Sequence, residues 1–68
     1  MRVITLKAAR INAGLLQTDV ALALRVSRAT VGNWESGKHV PPADKMVEMA
    51  RLYDVPVDCL SFRPVSSL

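Results

Sequence analysis

Glycine and proline residues cut this chain of 68 residues into short segments, and these breaks constrain the fold more than any other sequence feature. Gly14 and Gly37 are typical of helix ends, because glycine readily adopts the left-handed conformation that closes a helix. The Pro41-Pro42 pair interrupts helix, whereas Pro56 suits a first helical turn. Between the breaks, apolar residues recur at helical spacing without any alternation of strand length. The pattern predicts an all-α fold with five short helices, at approximately 4–13, 17–24, 28–36, 43–53 and 56–61.

The length allows one small domain, 1–68, whose stability we expect to be modest. Half of the residues are apolar, which is too high a fraction for a disordered chain. Trp34, Tyr53 and Phe62 are the three aromatic residues, so we expect a mostly aliphatic core and a frayed tail at 62–68. No apolar run approaches the ~20 residues that a membrane span needs, and the N-terminus does not resemble a signal peptide. We therefore expect a cytoplasmic protein.

The sequence offers little for catalysis or metal binding. A nucleophile needs a base within reach, yet His39 stands beside the proline pair and Cys59 lies in the predicted last helix. We interpret His39 as a loop residue and Cys59 as a small buried or interface residue. One cysteine cannot form an internal disulfide, and one Cys with one His cannot build a Cys/His zinc site. We expect no enzyme, no metal and no cofactor.

The charge of the chain is unevenly distributed. Residues 1–40 hold six basic and two acidic side chains, whereas residues 41–68 hold three basic and four acidic ones. A positive field concentrated in the first part of the chain favours a polyanion as partner, although a solvated basic face without a partner would have the same composition.

The segment QTDVALALRVSRATVGNWES, 17–36, indicates two helices of about eight residues joined by a tight turn at 25–27. Val31 and Trp34 form the apolar stripe of the second helix, which leaves its other side free to enter a DNA major groove about 12 Å wide. Arginine suits guanine, asparagine suits adenine, and methyl-bearing side chains suit thymine. The predicted base contacts are Arg28, Ala29, Thr30 and Asn33.

At these residues the sequence resembles the phage lambda-type repressor/Cro (xenobiotic response element) family of helix-turn-helix DNA-binding proteins. The resemblance covers roughly residues 6–60 and rests on GLLQTDVA, VSRATVGNWESGK, PP and MARLYDVPVDCL. It implies a compact five-helix, lambda-repressor-like domain of bacterial or phage origin. It also implies a sequence-specific transcriptional regulator, a repressor or Cro-like protein, that reads an operator in double-stranded DNA through residues 28–36.

The resemblance implies further roles for single residues. Gln17 stands where the family binds a phosphate at a helix N-terminus, and Arg10 and Glu35 match a buried structural pair. We also predict phosphate contacts for Lys38, Arg25 and Arg10. One recognition helix reads only about 4–6 base pairs, so we expect a homodimer on a palindromic operator, with recognition helices about 34 Å apart. The candidate dimer interface is Val57, Leu60 and Phe62.

Three positions depart from the family pattern. Arg25 replaces the usual turn glycine, Leu16 replaces a Ser, Thr or Asn helix cap, and Gly32 lies inside the recognition helix. Each departure is expected to cost about 1 kcal/mol. Arg25 could offset this cost with a phosphate contact, Asp19 could partly replace the missing cap, and Gly32 could allow a close approach to DNA.

Two alternatives from other classes use the same fold. The first is a protein-interaction module of the antitoxin type, which binds both an operator and a toxin and would use an extended tail that folds on its partner. The second is a structural adaptor that has lost DNA binding. The presence of Gln17, Arg28 and Lys38 on one face argues against the adaptor.

Overall fold

The computed structural model describes residues 3–62 and comprises four α-helices, one 3-10 helix and two very short strands. In chain order the elements are β1 (Ile4–Thr5), α1 (Leu6–Asn12), α2 (Gln17–Leu24), α3 (Arg28–Ser36), α4 (Ala43–Tyr53), the 3-10 helix (Val57–Cys59) and β2 (Leu60–Ser61). Within the described range no helix is both long and apolar enough to cross a membrane.

Local hydrogen bonds explain where the helices begin and end. Thr5 Oγ1 accepts from the Ala8 N–H at 3.1 Å, and Ser27 Oγ accepts from the Thr30 N–H at 3.1 Å, so both side chains cap a helix start. Gly37 closes α3 with φ 83°, the left-handed conformation that glycine adopts without strain. At α2 the apolar Leu16 cannot cap, and the Asp19 carboxylate instead accepts from the Leu16 N–H at 2.7 Å.

The core lies where the four α-helices meet, and it is mostly aliphatic. Val20 of α2 and Val31 of α3 have at most 1% of their surface exposed, and these two helices pack against each other. The remaining buried hydrophobic residues are Leu6, Ala9, Ala21, Leu24, Trp34, Met49, Ala50, Tyr53 and Leu60. α3 is therefore held by one stripe of side chains, and its opposite side is left to solvent.

The predicted fifth α-helix at 56–61 is wrong. Pro56 has an extended ψ of 140°, and only the 3-10 helix Val57–Cys59 follows it. The chain then enters β2, which pairs in parallel with β1, Ile4 opposite Leu60 and Thr5 opposite Ser61. Strands of two residues are too short to produce an alternating sequence pattern, so nothing in the local sequence indicates them. Apart from Phe62, the predicted frayed tail lies outside the described residues.

Candidate nucleic-acid interface

The outer side of α3 carries the side chains that we predicted to contact bases. Arg28 and Ala29 are exposed, whereas Thr30 and Asn33 are half-buried. Thr30 Oγ1 lies 2.9 Å from Ser27 Oγ and so takes part in the start of the helix. Arg28 and Asn33 are therefore the polar side chains of this set that are not committed to capping.

A chain of hydrogen bonds links the start of α3 to the interior of the domain. Arg28 Nη1 donates to Gln17 Oε1 at 2.8 Å, and Gln17 Nε2 donates to Glu35 Oε1 at 3.0 Å. Because the Glu35 carboxylate can only accept, it fixes the orientation of the Gln17 amide and turns the amide oxygen toward Arg28. The Arg28 guanidinium is thereby held at the exposed end of α3.

Arg10 holds Glu35, the inner end of these hydrogen bonds, in place. Its Nε donates to Glu35 Oε2 at 2.6 Å, its Nη2 donates to Glu35 Oε1 at 3.2 Å, and its Nη1 donates to the Leu15 carbonyl at 2.9 Å. The hydrogen bond to Glu35 raises the pKa of Arg10 above its ordinary value, against the opposing effect of burial. Only 9% of the Arg10 side chain is exposed, and all three of its nitrogens donate within the domain, which argues against the predicted phosphate contact of Arg10.

Tyr53 of α4 lies in the electric field of this pair. Burial raises the pKa of its hydroxyl to about 12, and the negative charge of Glu35 adds to the shift. Within residues 3–62 the Tyr53 hydroxyl has no hydrogen-bond partner. Tyr53 therefore contributes apolar packing beneath the Arg10–Glu35 pair and stays protonated at neutral pH.

The remaining predicted phosphate contacts are on the surface. Lys38 is exposed directly after the end of α3, and Arg25 is exposed in the turn between α2 and α3. Gln17 is half-buried at the first position of α2. Sequence reasoning did not single out Lys7, which shares a surface depression with Gln17 and Ser36. Only the packing of α1 against α3 brings Lys7 there, so no local pattern could have indicated it.

Arg25 adopts the left-handed conformation, with φ 61° and ψ 45°. This is the conformation expected at the turn position where the family usually has glycine. We expect Arg25→Gly to raise the free energy of unfolding by up to about 1 kcal/mol, because a non-glycine residue is strained there. Asp54 at the end of α4 has φ 57° and provides a matched control. Asp54→Gly should gain less, since aspartate tolerates this conformation better than arginine. Denaturant unfolding of both variants measures the difference, and an equal or lower stability of Arg25→Gly would contradict the strain.

The candidate dimer interface needs one correction. Leu60 is only 5% exposed, because β2 turns its side chain into the core opposite Ile4. Val57 is 40% exposed, and Phe62 packs partly against the core. Of the three candidates, only Val57 and Phe62 offer surface to a partner.

In the described part of the chain, no group of three or more His, Cys, Asp and Glu side chains is placed to hold a metal ion. His39 lies exposed after α3, and its backbone N–H donates to the Asn33 carbonyl at 3.2 Å. Cys59 is half-buried and free. Among the described residues, neither His39 nor Cys59 forms a hydrogen bond with Arg28 or Gln17.

Comparison with known proteins shows which family the chain is similar to. A model of the helix-turn-helix family matches residues 6–58. A protein of Bacillus subtilis (strain 168), named "Uncharacterized HTH-type transcriptional regulator YobD", is 39% identical over 44 residues. The aligned segment covers 65% of this chain and 39% of the relative, so the chain matches well under half of that protein's length. No solved structure matches the chain significantly.

Proposed function

Because the chain belongs to the helix-turn-helix family, we propose that it is a sequence-specific DNA-binding transcription regulator that reads an operator through α3. The resemblance to the lambda-type repressor/Cro family is in accord with this membership. The observation that carries the proposal is the exposed side of α3, where Arg28 is oriented by Gln17 and lies free of any carboxylate contact among residues 3–62. A guanidinium held in this way can donate to O6 and N7 of a guanine together.

The proposed site separates residues that read bases from residues that hold the backbone. Arg28, Ala29, Thr30 and Asn33 are the proposed base contacts, with Arg28 and Asn33 as the main polar donors. Gln17, Lys38 and Arg25 are the proposed phosphate contacts. Phosphate contacts position a protein on DNA but carry no sequence information. Selection of duplexes from a randomised library by the purified chain tests the function directly, since enrichment of one sequence is expected.

Arg28→Ala and Lys38→Ala should weaken DNA binding in different ways. On the selected duplex, Arg28→Ala should cost about 1–3 kcal/mol, with little loss on a scrambled duplex, because a bidentate base contact is removed. Lys38→Ala should weaken binding to both duplexes alike and lower the salt slope of log K by roughly one unit.

Gln17→Ala should weaken binding to both duplexes and also lose part of the specificity, since Gln17 orients Arg28.

The measurement is binding of each variant to both duplexes at several salt concentrations. Equal losses of Arg28→Ala on the two duplexes would mean that Arg28 only clamps phosphate. Sequence reading would then have to rest on Ala29, Thr30 and Asn33.

We further propose that two copies act together on a palindromic operator, with Val57 and Phe62 at the interface. The support is that Val57 is 40% exposed and Phe62 is only partly buried against the core, so both leave apolar surface uncovered near β2. Light scattering with the selected duplex should give two chains per site, and one chain per site would contradict the dimer.

A further inference from the structure

Gln17 lines two separate depressions on the surface. One of them is also lined by Arg10, Leu16, Thr18 and Arg28, and it belongs to the DNA site already proposed. The second depression lies where α1, α2 and α3 meet, and no role has been assigned to it. It is lined by Lys7, Gln17, Gly32, Glu35 and Ser36.

Gly32, in this second depression, is not required by the packing of the protein. A Cβ built on Gly32 would lie 3.9 Å from Gln17 Nε2, an ordinary van der Waals distance. Apart from the adjacent backbone of α3, no other atom of the described residues would lie within 4 Å of it. The residue stands inside α3, where glycine lowers helix stability relative to alanine. The absence of a side chain therefore costs stability without relieving any crowding in the described residues.

The charges in the depression suit an anion. Lys7 is exposed, and within residues 3–62 no carboxylate lies within ion-pair distance of it. Glu35 is the acidic residue of the lining, but both of its oxygens already accept from Arg10, and Oε1 also accepts from Gln17. Because Arg10 balances the charge of Glu35, the ammonium group of Lys7 gives the depression a net positive charge. The Gln17 amide has a second N–H that is not used by Glu35.

We propose that this depression receives a phosphodiester group of the DNA backbone, with Lys7 as an additional phosphate contact and Gly32 leaving the space for it. This inference rests on the proposed DNA binding and extends it to α1. The phosphate would meet the Lys7 ammonium group and the free Gln17 N–H, and the bare backbone of Gly32 would let the sugar-phosphate chain approach α3 closely. A side chain at position 32 would keep the backbone away.

Lys7→Ala tests the phosphate contact. Binding to the selected duplex and to a scrambled duplex should fall by the same factor, and the salt slope of log K should decrease by about 0.9, the value for one phosphate contact. Arg51→Ala is the matched control, because it removes the same charge from α4. Arg51 lines a different depression, together with Ala23, Leu24, Glu48 and Leu52. The contact is refuted if Lys7→Ala and Arg51→Ala have the same affinities and salt slopes.

Gly32→Ala tests whether the DNA backbone needs the space beside Gly32. Alanine should raise the thermal midpoint by about 4–8 °C, since it favours helix and has room in the free protein. The same variant should bind both duplexes more weakly than the unchanged protein. Unchanged binding with a raised midpoint would show that no backbone passes over Gly32. A lowered midpoint would show that the fold itself needs the glycine, which would also overturn the inference.

The proposed function and the additional phosphate contact of Lys7 are tested by different results. If selection enriches no duplex, the proposed sequence-specific function fails, while the salt dependence of non-specific binding still tests Lys7. If a duplex is enriched and Lys7→Ala behaves like Arg51→Ala, the function stands and the additional phosphate contact is wrong.

Discussion

Glu35→Ala should destabilise the domain by about 3–5 kcal/mol, because it leaves the Arg10 guanidinium inside the protein without its carboxylate. The Arg10 and Glu35 side chains are only 9% and 6% exposed, so the unpaired guanidinium would remain largely shielded from water. The substitution also removes the acceptor of the Gln17 amide. At about 4–8 °C per kcal/mol for a domain of this size, the thermal midpoint should fall by more than about 12 °C.

Two controls make this experiment specific. Glu48→Ala breaks the exposed Lys45–Glu48 pair, whose atoms are 3.7 Å apart, and should change stability by less than about 1 kcal/mol. The double variant Arg10→Met, Glu35→Leu should be more stable than Glu35→Ala alone, since it leaves no buried charge. If Glu35→Ala were as stable as Glu48→Ala, the Arg10–Glu35 pair would have no structural role.

Leu60→Ala should destabilise the domain by about 2–5 kcal/mol, the range for a leucine removed from a packed core. Leu60 is 5% exposed, and β2, which pairs with β1, packs against α1. Denaturant unfolding measures the loss. Because Leu60 was a candidate for the dimer interface on sequence grounds, this result separates a core role from an interface role.

Val57→Ala is the matched control for Leu60. Val57 is 40% exposed, and its truncation should have a small effect on the stability of one chain. Light scattering of both variants reports the oligomeric state. A Leu60→Ala chain of unchanged stability that nevertheless lost a dimer would return Leu60 to the interface.

The helices that end at clear local signals could be predicted from the sequence. α3 lies between the cap Ser27 and the closing Gly37, and α4 begins directly after Pro42 and ends before Pro56. Such signals act over a few residues, so a single sequence is enough to find them. The pairing of β1 with β2 joins residues far apart in sequence, and for that reason the predicted helices 4–13 and 56–61 wrongly include the strand residues 4–5 and 60–61.

The candidate site could be predicted only as a list of residues. The resemblance brought Arg10 and Glu35 together and put Arg28 and Gln17 on one face. It could not indicate that Gln17 bonds to both Arg28 and Glu35, since this depends on how three helices pack. The same holds for Arg10, whose third nitrogen donates to the Leu15 carbonyl and whose side chain is only 9% exposed.

The parallel pairing of β1 and β2 also affects how the domain opens. The two strands pair with each other in a two-stranded sheet, although they lie near opposite ends of the described sequence. Closing so long a loop costs conformational entropy, so this pairing is expected to form late in folding. Thr5 belongs to β1 and also caps α1, which means that loss of the pairing loosens the first turn of α1. The start of α1 and the segment at β2 therefore form a single unit of local unfolding, whereas α2 and α3, adjacent in sequence, can stay folded when this unit opens.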